Sequence, residues 1–253
     1  MHLRSALSSE ALVGTFVGIN SPTVVEILAG SGYQVICVDS EHAPFSATEI
    51  QDLIRAADSR GVPAIVRVSG AGPEIGRALD SGAAGVLVPM VETAEDAANV
   101  VSLVRYPPVG RRGAGPGRAT AYGADFAGYL ARANDAVAAM IQVESVRGVE
   151  NVEAILAVPG IDLVFVGPGD LAVSLGVPVG APEHTAAIER IADAARAAGV
   201  PLGIFCVDDA AVSRWARVGA RFFLIACDLV FLADRAAELA QASKAAAGAE
   251  VGA

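Results

Sequence analysis

Two apolar runs in the middle of this chain each lead into a carboxylate. Met140-Ile-Gln-Val-Glu144 ends on Glu144, and Leu163-Val-Phe-Val-Gly-Pro-Gly-Asp170 ends on Asp170. Between them Val149, Val152, Ile155 and Leu156 recur at helical spacing. A strand, a helix and a strand of this size read as a right-handed βαβ crossover, which puts both strand ends on one edge of a parallel sheet. Alternation along the first strand turns Met140, Gln142 and Glu144 to the same side. Two acids brought side by side repel unless positive charge lies between them. A hard divalent cation held by one or two carboxylates meets that need. The competing reading is two solvated acids at the starts of loops.

More polar residues gather where the same logic puts strand ends. Val35–Asp39 opens into Ser40-Glu41-His42-Ala43-Pro44, and Ala64–Val68 carries Arg67 near its end. A buried arginine is costly without an anion, so Arg67 requires a carboxylate or a substrate oxyanion beside it. Singly, each residue has a plain structural explanation. Arg67 is neutralised by Glu41 or Asp39, His42 caps a helix, and Gln142 fills a polar layer. Together, Asp39, Glu41, His42, Arg67, Gln142, Glu144 and Asp170 collect acids, an imidazole, an amide and a guanidinium on one rim. That rim suits a small carboxylate substrate bridged by a cation and Arg67.

The elements that must position these residues follow a β/α rhythm. Strands are expected at Val13–Ile19, Val35–Asp39, Ala64–Val68, Gly85–Met90, Met140–Glu144, Leu163–Gly167, Pro201–Val207 and Phe222–Ala226. Ser21-Pro22 reads as an N-cap followed by proline at the first helical position, and Ser46 with Glu49 as a capping box. Eight such units in 253 residues have the size of a (β/α)8 TIM barrel, one α/β domain over 1–253. In that fold the chemistry sits at the C-terminal ends of the strands. A terminal helix over about 228–243 carries Leu229, Val230, Phe231 and Leu232, more apolar surface than one barrel face readily covers. The Ala-rich tail beyond about Ala242 is expected to fray.

Composition narrows the function. A net charge of −10 argues against nucleic acid or anionic membrane as partner, and no apolar run approaches the ~20 residues of a spanning helix. Cys37, Cys206 and Cys227 stand far apart in apolar runs, as reduced thiols of a cytoplasmic protein do. The three histidines are His2, His42 and His184, so a three-histidine zinc site would need all of them. The single lysine, Lys244, sits in the tail, which argues against Schiff-base catalysis. Gly113-Ala-Gly-Pro-Gly117 does not turn a strand into a helix, so it is no dinucleotide fingerprint, and no nucleotide cofactor is expected. Asp208-Asp209 and Asp228 fill the last two βα loops with negative charge, which speaks against a phosphate held there.

The chain resembles the HpcH/HpaI aldolase family, the metal-dependent class II pyruvate aldolases. The resemblance runs in register from about residue 10 to 235. It rests on Val38-Asp-Ser-Glu-His-Ala-Pro44, Val66-Arg-Val68, Leu87-Val-Pro-Met-Val-Glu-Thr-Ala-Glu-Asp96, Arg105-Tyr-Pro-Pro-Val-Gly-Arg-Arg-Gly113, Ile141-Gln-Val-Glu144 and Val164-Phe-Val-Gly-Pro-Gly-Asp-Leu171. Among members it is most similar to those acting on 4-hydroxy-2-oxoheptane-1,7-dioate and 2-dehydro-3-deoxyglucarate. The resemblance implies Glu144 and Asp170 as ligands of Mg²⁺, Mn²⁺ or Co²⁺, Arg67 on the pyruvate oxygens, His42 as acid/base with Asp39 beside it, and Gln142 in the pyruvate site. It also implies a homo-oligomer, a hexamer, whose last helix packs on a neighbouring subunit. Ser40 replaces a common glycine. Gly169 replaces a common alanine and leaves the amide before Asp170 open to a substrate carboxylate. Phe45 replaces a common polar residue and makes the aldehyde side of the pocket less polar than in diacid-cleaving members.

The implied activity is reversible retro-aldol cleavage of a 4-hydroxy-2-oxo acid to pyruvate and an aldehyde through a pyruvate enolate. Oxaloacetate decarboxylation passes through the same enolate. An acyl-CoA carbon–carbon lyase would need an anchor, for which Arg111-Arg112 is the candidate, and a metabolite-binding barrel without catalysis is the reading from another class.

Overall fold

A computed structural model describes residues 3–251, with side chains through Ala247. His2 and the last two residues of the expected tail lie outside the described residues. After a short helix α1 (Leu3–Ser9), the chain alternates β1 (Leu12–Val17), α2 (Pro22–Gly30), β2 (Val35–Asp39), α3 (Ala47–Ser59), β3 (Ala64–Arg67), α4 (Pro73–Asp80), β4 (Gly85–Val88) and α5 (Ala94–Val104). A 3-10 segment (Arg118–Gly123) precedes α6 (Phe126–Ala136), β5 (Ala138–Val143), α7 (Val146–Glu150), α8 (Val152–Leu156) and β6 (Leu163–Val166). The chain closes with α9 (Pro168–Leu175), α10 (Pro182–Ala198), β7 (Leu202–Cys206), α11 (Asp209–Val218), β8 (Phe222–Cys227) and α12 (Asp228–Val251). The eight strands are parallel and close in sequence order, β1 beside β8. This is the expected (β/α)8 barrel.

The strands are apolar on both faces because both faces are covered. Phe16, Cys37, Ile65, Leu87, Met140, Phe165 and Leu224 fill the barrel interior. Their neighbours Val38, Val66, Val86, Ile141, Val164 and Ile204 pack outward against the helices. Helix starts follow local chemistry. Ser21 caps α2 ahead of Pro22, and Ser46 and Glu49 form the expected capping box on α3. Thr93 and Asp96 form a second box on α5.

The structure corrects several expectations. Helix α1 closes the N-terminal end of the barrel, with Leu3, Ala6 and Leu7 joining the interior cluster and Arg4 bonded to Asp162. Its seven residues are too few to show a period. One expected helix between β5 and β6 is two, broken at Asn151. Helix α9 starts one residue after β6, so Asp170 stands in its first turn. Helix α12 runs from Asp228 to Val251, past the expected end near residue 243.

The arginine-rich connection was a candidate CoA anchor, but it packs elsewhere. Arg112 is buried against Asp80, with its guanidinium over the Tyr106 and Tyr129 rings, and Arg118 pairs with Asp58. Asp58 and Asp80 end α3 and α4, and barrel helices run opposite to their strands. These arginines therefore cover the N-terminal face, away from the rim chemistry, and Arg111 bonds Asn99 on α5.

Candidate active site

Asp39 and Arg67 are register partners on β2 and β3, and both point into the barrel. Arg67 donates from Nε to Asp39 Oδ1 at 2.9 Å and from Nη2 to Oδ2 at 2.6 Å. The Phe16 ring lies 4.5 Å from the guanidinium carbon. Burial works against the charge, but the Asp39 bonds outweigh it and hold Arg67 above its usual range. No described residue bonds Nη1. The arginine is thus oriented, with one edge left for an incoming oxyanion.

The resemblance implies Asp39 beside His42, and among the described residues no hydrogen bond or ion pair joins its carboxylate to the imidazole. Asp39 reaches His42 only through the backbone, accepting the amides of Glu41 and His42 at 3.2 and 3.4 Å. The imidazole is 61% exposed, and its nearest carboxylate is Glu41, with Nε2 3.8 Å from Oε2. The same Oε2 lies 3.4 Å from Arg67 Nε and is buried without a hydrogen-bond partner. Burial pushes the Glu41 carboxyl up, Arg67 and His42 partly offset this, and Asp39 and Asp170 add to it. Glu41 was visible in the sequence as a rim acid. Its place between Arg67 and His42 was not.

Glu144 follows the end of β5 and is 2% exposed. Its Oε1 accepts the Met90 amide at 3.0 Å, and its Oε2 accepts from Gln142 Nε2. Met90 reaches that position with φ of 54°, in the left-handed region. Gly167 makes room: a Cβ there would collide with Glu144 Oε2 and crowd Gln142. Burial pushes Glu144 up to about 7, the two hydrogen bonds work downward, and the charges of Asp170 and Glu41 raise it further. Among the described residues no cationic side chain pairs with Glu144 or Asp170. A buried carboxylate, repelled by a second one across the start of α9 and lacking a counter-charge, fits a hard divalent cation. No cluster of three or more metal-ligating side chains exists among the described residues. Two carboxylates alone suit an ion that keeps several waters and takes substrate oxygens.

A cavity of about 290 Å³ opens over this rim, lined by Asp39, His42, Arg67, Gln142, Gly169 and Asp170 among others. Gly169 faces open space, and no side chain caps the α9 N-terminus. Gln142 turns Oε1 away from Glu144, buried and without a protein partner. Phe16, Phe165, Phe205 and Cys227 supply the apolar wall. None of the four is a site residue by sequence pattern alone, although Phe165 stands two residues before Gly167 and alternation turns it inward. Phe45 lies away from the expected aldehyde side. It packs on the outer core and lines a separate cavity of about 160 Å³ with Ser69, Glu74 and Arg77. It does not face the rim. The backbone amides of Gly18 and Ile19 are already taken by Asp228 at 2.8 and 2.9 Å.

Fold and site together define a (β/α)8-barrel protein whose C-terminal rim is built around an oriented arginine and two unpaired carboxylates. The family profile of HpcH/HpaI aldolase/citrate lyase matches residues 12–234, and the chain belongs to that family. It is 42% identical over 230 residues to the 2-keto-3-deoxy-L-rhamnonate aldolase of Klebsiella pneumoniae, covering 89% of this chain and 86% of that one. It is 39% identical over 239 residues to the hydroxypyruvate/pyruvate aldolase of Roseovarius nubinhibens, covering 92% and 93%. The crystal structure of an HpcH/HpaI aldolase/citrate lyase family protein from Burkholderia cenocepacia superposes with a TM-score of 0.91 at 38% identity, covering 96% and 98%. Named aldolases are carbon–carbon lyases. Neither named relative is one of the two aldolases the motifs most resembled.

Proposed function

We propose that the protein is a metal-dependent pyruvate aldolase that reversibly cleaves a 4-hydroxy-2-oxo acid to pyruvate and an aldehyde. One observation carries the reading: Arg67, locked by Asp39, faces the same cavity as the Asp170 carboxylate, with buried Glu144 below. Glu144 and Asp170 would hold the divalent cation, which supplies Lewis-acid polarisation of the ketone. The substrate carboxylate enters at the open amides of the α9 N-terminus, where Gly169 leaves space and the helix end favours an anion. As the C3–C4 bond breaks, the Nη1 edge of Arg67 stabilises the enolate oxygen, a preorganised role in a largely apolar cavity. His42 removes the C4 hydroxyl proton at the open side of the cavity. Gln142 holds the Glu144 carboxylate in place through Nε2 and offers Oε1 to a donor on the substrate or its water shell.

The exposed start of α12 supports a homo-oligomer. Leu229 and Leu232 are 55% and 64% exposed, while Phe231 stacks on Tyr33 and anchors the first turn. A second copy of this chain is the natural cover, and a hexamer fits the family resemblance. No described helix is long and apolar enough to cross a membrane. Three free thiols suit a reducing cytoplasm. The test is a panel of aldehydes with pyruvate, with and without Mg²⁺, Mn²⁺ or Co²⁺. Carbon–carbon bond formation that needs the cation is expected, and no turnover with any aldehyde would favour a metabolite-binding barrel.

A further inference from the structure

His184 is the third residue of α10 and 2% exposed, yet it has no part in the chemistry above. Both ring nitrogens are used. Nε2 lies 2.8 Å from the Pro168 carbonyl oxygen, and Nδ1 accepts the Gly180 amide at 3.1 Å. A carbonyl only accepts and an amide only donates, so the imidazole is the neutral Nε2–H tautomer. The connection from α9 to α10 folds back through Gly176 and Gly180, with φ of 68° and 86°, which brings this ring beneath the first residue of α9. Pro168 lies between Gly167, which packs on Glu144, and the pair Gly169-Asp170 that faces the cavity.

We propose that His184 is a positioning residue: through the Pro168 carbonyl it sets Asp170 and the Gly169 amide against Glu144. The assignment rests on Asp170 as a metal ligand. Proline cannot donate a hydrogen bond, and no described group accepts from the Gly169 or Asp170 amide, so α9 has few other ties at its start. Leucine at 184 fills similar space but leaves the Gly180 amide unpaired and removes a bond to Pro168. Partners that orient a metal ligand typically account for 10–100-fold in affinity.

The experiment uses the full-length protein, depleted of metal and titrated with Mn²⁺, with the dissociation constant read from water-proton relaxation. His184→Leu should weaken Mn²⁺ binding about tenfold. Leu7→Ala, a cavity at the opposite end of the barrel, should lower Tm and leave the constant unchanged. Should His184→Leu fail to fold, His184→Asn serves: it can still accept from Gly180 but falls short of Pro168, and the same weakening is expected. Amide hydrogen exchange without metal gives the second readout, with exchange at residues 171–173, the first bonded amides of α9, faster in the variant than in wild type. Unchanged Mn²⁺ affinity in a folded variant overturns the proposal. A wild-type protein that binds no Mn²⁺ sinks the metal reading instead, and exchange then decides: unchanged protection at 171–173 overturns the role of His184, and selective loss upholds it.

Discussion

Asp39 grips Arg67 with two parallel hydrogen bonds, Nε to Oδ1 and Nη2 to Oδ2, across one rung of the β2–β3 ladder. A fork held on one edge is aimed by the other. Arg67→Ala should slow both retro-aldol cleavage and deuterium exchange of the pyruvate methyl group by roughly 10²–10³-fold, the usual loss for one oxyanion donor. Arg67→Lys should recover little, because an ammonium cannot reproduce the planar fork. Asp39→Ala should destabilise the fold by on the order of 3–5 kcal/mol, since it strands a buried charge. Unchanged rates in Arg67→Ala would make Arg67 a structural ion-pair residue.

Exchange and cleavage should separate at His42. Proton loss from the methyl group needs a base that water or buffer can replace, whereas the C4 hydroxyl loses its positioned base in His42→Ala. Cleavage should fall much further than exchange. NMR follows the methyl signal in D₂O, and pyruvate release follows cleavage. Equal losses would place His42 in binding.

Glu144 makes the chelated protein sensitive to pH. Its folded value of about 7 lies above the ordinary 4.5, so burial favours the protonated form. The sign follows from linkage: the stability that group contributes is full below 4.5 and is lost as pH rises through about 7. Melting of chelator-treated protein should therefore show lower Tm at pH 8 than at pH 5.5 from this group, and Glu144→Gln should flatten the dependence. Glu144→Gln and Asp170→Asn should each weaken Mn²⁺ binding greatly. Full activity after exhaustive chelation would refute the metal assignment.

Phe45 belongs to packing. Phe45→Ala should cost stability by up to about 3 kcal/mol, less than a fully buried phenylalanine because Phe45 is only half-buried. The preference between succinic semialdehyde and a neutral hydroxyaldehyde should stay the same. A changed preference with unchanged Tm would return Phe45 to the aldehyde side.

Leu232→Glu with Leu239→Glu on α12 should reduce the assembly seen by light scattering, because charge on an apolar cover disfavours its burial. A wild-type protein that is monomeric and fully active would remove the oligomer from the reading.

The barrel was legible because its rule is local. Val35–Asp39 was drawn with its observed ends, and the other strands lie within a few residues of theirs, since apolar runs between glycine and proline punctuation need no tertiary information. The rim acids, Arg67 and His42 were legible for the same reason: once a strand is placed, its C-terminal end is placed too. Pairings across space were not. Local pattern cannot say that Asp39 bonds Arg67 and not the His42 ring, because strand register decides it. Phe45 follows His42 closely in sequence yet packs behind the strand, because the chain after Pro44 turns outward to start α3. Nor could spacing reveal that His184, far along the chain, holds the carbonyl two residues before Asp170. Sequence determined which groups stand at the rim. Only the closed barrel decided which of them touch, because those contacts join residues from different strands and loops whose separation along the chain carries no distance.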